Sequence, residues 1–194
     1  MIRVARLSVL MSLLSLLSLL SPTAYAVSVA GIDVPPALRM GNQDLHLQGA
    51  GLRTKLIFDV YVAALYVGDR PVSAAALMET TNPRVITLRL MRDVDALTLG
   101  HALDEGLQAN LSPAELESLR PAVERLLAIM ADIKLAVKGS QVVLSLGSEG
   151  VSVAFDGVER GRVIHPLVAR ALLKVWLGDH PAQESLKKAL LGGL

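Results

Sequence analysis

The sequence contains no cysteine. That excludes disulfides, a thiolate nucleophile and cysteine-ligated zinc or iron–sulfur centres. Aromatic residues make up only 3% of the 194 positions, too few for platforms that stack bases or sugars. Charge of one sign is also missing, since 19 basic and 18 acidic residues leave a net charge of +1. A nucleic-acid partner needs a concentrated basic face, so that class is set aside. The four histidines (His46, His101, His165, His180) form no His-x-x-x-His or Glu-x-x-His pair, and no metal site is expected. No nucleophile elbow, Walker loop or dinucleotide glycine pattern occurs either, so no cofactor is implied. What is abundant is aliphatic: 52% of the chain is hydrophobic, enough for one domain with its own core.

Part of that hydrophobicity sits in a leader. Arg3 and Arg6 open the chain, an apolar run of 14 residues follows from Leu7 to Leu20, and Ala24-Tyr25-Ala26 supplies small residues at the cleavage positions. The run is too short to span the ~30 Å of a bilayer core comfortably. Residues 1–26 therefore read as a cleaved signal peptide, and residues 27–194 as the working domain. Without Arg3 and Arg6 the mature chain has 17 basic against 18 acidic residues, a net charge of −1. No later stretch approaches a membrane span. The expected location is the periplasm.

Along the mature chain, Val27–Val34 reads as an opening strand closed by Pro35-Pro36. Leu45–Gln48 reads as a second strand that breaks at Gly49-Ala50-Gly51, where paired glycines signal a bulge or a close backbone approach. From Leu52 to Val67 the pattern reads as one long strand. Val60, Val62, Ala64 and Tyr66 share one face, with Asp59, Tyr61, Ala63, Leu65 and Val67 on the other. Residues 73–80 read as a short helix and 84–91 as a strand. A helix is expected over about 95–110, and a second from a capping box at Ser112-Pro113-Ala114-Glu115 to about Met130. Strands at 134–138, 142–146 and 151–155 follow, with Asp156-Gly157 as a hairpin turn. Two amphipathic helices, 166–177 and 181–191, end the chain. This order has no βαβ alternation, so it predicts an α+β domain: a mostly antiparallel sheet with helices on one face.

The candidate site residues are Arg53 and Tyr61. Their even spacing puts both on one face of a regular strand, but roughly 26 Å apart at ~3.3 Å per residue. A bend, a bulge or a long ligand is needed to bring them to one site. A guanidinium holds a carboxylate or enolate bidentately, and a phenol adds a directional donor. His101, on the first internal helix, reads either as a half-buried histidine held by a backbone carbonyl or as a proton relay. Trp176, Leu172 and Leu173, at helical spacing, read as core.

The segment Gly49-Ala50-Gly51-Leu52-Arg53-Thr54-Lys55, followed by Phe58-Asp59-Val60-Tyr61-Val62-Ala63-Ala64-Leu65-Tyr66-Val67, resembles the hallmark segment of the chalcone isomerase superfamily. The tail from Ala171 to Gly192 is similar to the exported bacterial chalcone-isomerase-like group. The resemblance implies an open-faced β-sandwich, a large antiparallel sheet with helices layered on one side, and a fold that brings Arg53 and Tyr61 together. Arg53 is similar in position to the arginine that polarises the substrate in the plant enzymes. Tyr61 stands where those enzymes have a threonine, and the Arg–Tyr pair resembles the non-catalytic fatty-acid-binding branch. The tyrosine and asparagine of the enzymes fall at Val94 and His101, with Asn110 as a second candidate for the asparagine. No serine or threonine occurs in 157–164, where the enzymes carry a hydroxyl.

Two functions follow from the resemblance. One is a periplasmic binder of a fatty acid or similar amphipathic carboxylate, held through Arg53 and Tyr61. The other is an isomerase or intramolecular lyase of the chalcone isomerase type. There Arg53 stabilises an enolate and Tyr61 or His101 relays a proton. A purely structural role for a protein partner is the third expectation.

Overall fold

The computed structural model describes residues 27–68, 73–79 and 81–193, so the expected leader lies outside the described residues. The first expected strand is a hairpin instead. β1 (Val27–Val29) and β2 (Ile32–Val34) pair antiparallel around Ala30 and Gly31, which both take positive φ. The chain continues as β3 (Ala37–Met40), β4 (Gln43–Lys55), β5 (Phe58–Val67), α1 (Ala74–Glu79), β6 (Arg84–Leu90) and β7 (Val94–Asp95). Helices α2 (Ala96–Asn110) and α3 (Pro113–Ala131) come next, then β8 (Leu135–Ala136), β9 (Gln141–Leu146), β10 (Gly150–Phe155) and β11 (Val158–Ile164). Helices α4 (Val168–Leu177) and α5 (Glu184–Leu190) close the chain. Seven strands form one sheet in the order β11-β10-β9-β6-β5-β4-β3, with every neighbouring pair antiparallel. This is the expected α+β architecture.

Two faces divide the core. Tyr61, Ala63, Leu65 and Val67 of β5, with Ile86, Leu88 and Leu90 of β6, pack under α2, α3 and α4. Val62, Ala64, Tyr66 and Val85 face the other way, against Val34 and Leu45 and the β1–β2 hairpin. Tyr66 donates its hydroxyl to the Pro35 carbonyl at 3.0 Å, tying that hairpin to the sheet. Alternation along β5 thus assigns its two faces as the period of two requires. The capping box forms as written: the Ser112 hydroxyl accepts from the Glu115 amide, and the Glu115 carboxylate accepts from the Ser112 amide at 2.7 Å. Asp95 caps α2 by accepting from the Leu97 amide at 2.8 Å. Among the described residues no helix is long and apolar enough to cross a membrane.

Three further strand expectations need correction. The stretch from Leu52 to Val67 is two strands folded at Leu56-Ile57, a turn with none of the usual turn residues and with Leu56 at φ +58°. β4 does not break at the glycines. It runs through them with a bulge at Gln48, where the register steps from Leu47↔Tyr66 to Gly49↔Leu65. The bulge and the close approach are both present. A Cβ on Gly49 would stand 2.1 Å from the Ala189 carbonyl oxygen, and one on Gly51 2.6 Å from the Ala189 methyl. Helix α5 therefore rests directly on the β4 backbone. The strand expected at 134–138 shrinks to the short β8, which pairs with β7.

Candidate ligand-binding site

The hairpin fold brings the two candidate residues together. Arg53 of β4 is the register partner of Tyr61 of β5, and paired residues on one face hold their Cβ atoms about 4.5–5.5 Å apart. A second bulge lies here, because the register steps from Arg53↔Tyr61 to Thr54↔Asp59 and leaves Val60 as the extra residue. Both Val60 and Tyr61 consequently face the helix side, although strict alternation assigns them to opposite faces. Asp59 is displaced from the face expected for it and stays exposed.

Arg53 and Tyr61 line one cavity of about 330 Å³ between the sheet and the helices. Its floor is Val60, Leu88, Val142 and Leu144 of the sheet. Leu99, Ala102, Leu103, Gly106 and Ala109 of α2 form the roof, and Met130, Val175 and Trp176 close the inner wall. Lys55, Thr98, Glu105 and His180 add polar groups. Gly106 lets α2 approach α4, since a Cβ there would meet Val175 Cγ1 at 2.8 Å.

The polar end is fixed by hydrogen bonds from residues distant in sequence. Trp176 Nε1 donates to Tyr61 Oη at 3.0 Å. That bond uses the phenol oxygen as acceptor and leaves its O–H to donate into the cavity. Burial pushes the Tyr61 pKa up, against the lowering effects of the Trp176 hydrogen bond and the Arg53 charge. The phenol is thus a neutral donor near neutrality. Arg53 Nη1 donates to the Thr54 carbonyl and, at 3.2 Å, to Gln183 Oε1. Gln183 Oε1 also accepts from the Thr54 amide at 2.9 Å, so the residue preceding α5 clamps both the strand and the guanidinium. A cation and a neutral hydroxyl donor side by side in a mostly apolar cavity are chemically able to hold an anionic oxygen.

The other candidates do not join them. His101 is exposed on α2 and is not part of the cavity lining, although Thr98, Ala102 and Glu105 beside it on that helix are. It is exposed rather than half-buried. Asn110 is a structural clasp: its Nδ2 donates to the carbonyls of Gly106 and His180, and its Oδ1 accepts from the His180 amide at 2.9 Å. Val94, at the position aligned with the enzymes' tyrosine, lines the cavity. Trp176 is buried core as expected, and its indole N–H is the signal that a buried partner had to exist. His180 and Gln183 carried no such signal in sequence. Among the described residues no cluster of three potential ligands could hold a metal ion.

Comparison with known proteins agrees with this architecture. A family model described as chalcone isomerase-like matches residues 26–192. The crystal structure of an Arabidopsis thaliana fatty-acid binding protein is similar to this chain with a TM-score of 0.65 at 18% identity. That similarity covers 88% of this chain and 94% of the plant protein, and at such identity it speaks to the fold. No curated protein matches.

Proposed function

This chain belongs to the chalcone isomerase-like family, and we propose that it is a non-catalytic binder of a fatty acid or similar amphipathic carboxylate. Arg53 and Tyr61 hold the carboxylate, and the aliphatic cavity takes the chain. One observation carries the reading: Trp176 occupies the Tyr61 oxygen, so the phenol has its proton to give beside a guanidinium. The fatty-acid binding protein that shares the fold supports it. The lining supports it too, being mostly aliphatic with a few convergent polar groups, as ligand sites generally are. Enone cyclisation lacks comparable support, because His101 stands outside the cavity and no other relay was expected beside Tyr61.

Export to the periplasm through a cleaved leader at residues 1–26 is part of the proposal. The family match beginning at residue 26, where the expected leader ends, supports it. The test is native mass spectrometry of protein purified from its own periplasm, with extraction of anything bound. A stoichiometric acyl acid, absent from Arg53→Ala, is the expected result. An empty protein that also ignores added fatty acids, or one that turns over an enone, rejects the reading.

A further inference from the structure

Three consecutive apolar side chains stand in solvent at the β4–β5 hairpin tip. Leu56 is 92% exposed, Ile57 88% and Phe58 50%. Leu56 holds φ at +58°, a left-handed conformation that is unfavourable for any side chain but is free to glycine. Glycine would suit the turn better, so the leucine costs folding stability there. Phe58 lies under Arg92, whose guanidinium carbon is 4.6 Å from the ring centroid. Lys55 precedes the turn. Three carboxylates lie nearby: Asp59, next to Phe58, stays exposed, Asp93 accepts from the Lys138 amide at 2.7 Å, and Asp95 caps α2. A shallow depression runs from Leu56 and Phe58 past Arg92, and it shares Lys55, Val60, Val94 and Thr98 with the ligand cavity.

We infer that this tip docks on a lipid bilayer, with Leu56, Ile57 and Phe58 entering the headgroup–acyl boundary and Lys55 and Arg92 at the level of the phosphates. Size favours a bilayer over a protein partner. The three side chains expose on the order of 400 Å², about half of the ~800 Å² per partner that a stable protein interface buries. An isolated protrusion needs no matching surface in a fluid membrane. Lys55 and Arg92 suit the interface, because long basic side chains bury their stems beside apolar anchors and keep their heads in the polar layer. Docked this way, the shared depression opens the cavity toward the bilayer surface. The inference stands on the tip and goes beyond the cavity reading; neither depends on the other.

The absence of cysteine makes the test clean. Protein from the periplasmic fraction carries Ile57→Cys labelled with an environment-sensitive dye. It is mixed with vesicles of phosphatidylethanolamine containing a minority of phosphatidylglycerol, or of phosphatidylcholine alone. Blue-shifted emission on both vesicle types is expected, with quenching by a nitroxide on the lipid acyl chain. The same label at Glu149→Cys, in the turn between β9 and β10 at the other end of the strands, stays unshifted. In vesicle flotation, the Leu56→Ser/Ile57→Ser double variant falls at least about tenfold below the parent. Leu56→Gly, which keeps the turn, falls between them. A label that stays aqueous, or a double variant that floats as well as the parent, overturns the inference. So does a dimer that the double variant dissolves while the parent fails to float, since the tip is then a self-interface.

Discussion

Trp176 Nε1 donates to Tyr61 Oη across 3.0 Å, joining a helix near the chain end to the strand that pairs with Arg53. Both partners are buried, Tyr61 to 8% exposure and Trp176 to 4%. Removing either side of such a bond leaves a polar group without water, which costs about 1–3 kcal/mol. The bond orients the phenol proton and helps hold α4 to the sheet. Its two roles can be separated by substitution.

Tyr61→Phe leaves the Trp176 N–H unpaired and removes the donor to the ligand. Stability is expected to fall by about 1–3 kcal/mol and acyl-acid affinity to fall with it. Trp176→Phe keeps the phenol but frees its orientation, so affinity falls less than in Tyr61→Phe. Urea unfolding and calorimetric titration with a fatty acid measure the two effects independently.

Arg53→Ala removes the charged donor. A charged hydrogen bond contributes about 1.5–3 kcal/mol, which is roughly 10- to 100-fold in Kd. Arg53→Lys restores the charge without the fork that reaches both Gln183 and a carboxylate, and is expected to recover only part of the loss. Unchanged affinity in Arg53→Ala, by titration calorimetry, would place the head group elsewhere in the cavity.

Both described tyrosines resist ionisation. Burial raises the Tyr61 pKa and pushes that of Tyr66 up to about 12. Each folded pKa lies above the unfolded value near 10, so their contribution to stability is complete below pH 10 and is lost as pH rises through the folded values. With the leader and its Tyr25 removed, phenolate absorbance is expected to be nearly silent at pH 10 in the native protein. In denaturant, about half the tyrosine ionises at that pH. A native curve matching the denatured one would contradict this.

Gly49 and Gly51 carry helix α5. A methyl on Gly49 would stand 2.1 Å from the Ala189 carbonyl oxygen, which is backbone and cannot swing aside. Gly49→Ala is expected to displace α5 and with it the Gln183 clamp on Arg53, weakening both stability and acyl-acid binding. The stability loss should exceed the ~1 kcal/mol typical of a point substitution. Thermal unfolding and ligand titration together check it.

Leu56→Gly relieves a left-handed leucine and is expected to stabilise the fold by up to about 1 kcal/mol. Ser112→Ala removes the cap of α3 and should cost ~1 kcal/mol. Chemical denaturation of the two variants beside the parent reads both signs.

Much of this was legible in residue order. Alternation along β5 assigned Ala63, Leu65 and Val67 to one face and Val62, Ala64 and Tyr66 to the other, because a strand buried on both sides still alternates. Ser112 through Glu115 marked a helix start, since its amides need acceptors wherever the helix packs. The two glycines marked a bulge and a close approach, although the helix they admit lies about 140 residues downstream. The pairing of Arg53 with Tyr61 followed only from family resemblance. From residue pattern alone the two stood far apart on one strand.

Sequence by itself determined the helices, the two faces of β5 beyond its bulge and the cap of α3, because these depend on local periodicity and on backbone groups that must be satisfied within a few residues. Tertiary structure decided the site. The turn at Leu56-Ile57 is apolar and carries no turn residue, so the apolar run passes through it unmarked. Pairing of β4 with β5 then cancels the distance between Arg53 and Tyr61, and the Val60 bulge turns an extra side chain inward. Trp176 and Gln183 reach the same spot only once α4 and α5 are packed on the sheet. Such contacts join residues more than 100 positions apart, and no local pattern encodes which distant donor a buried phenol will meet.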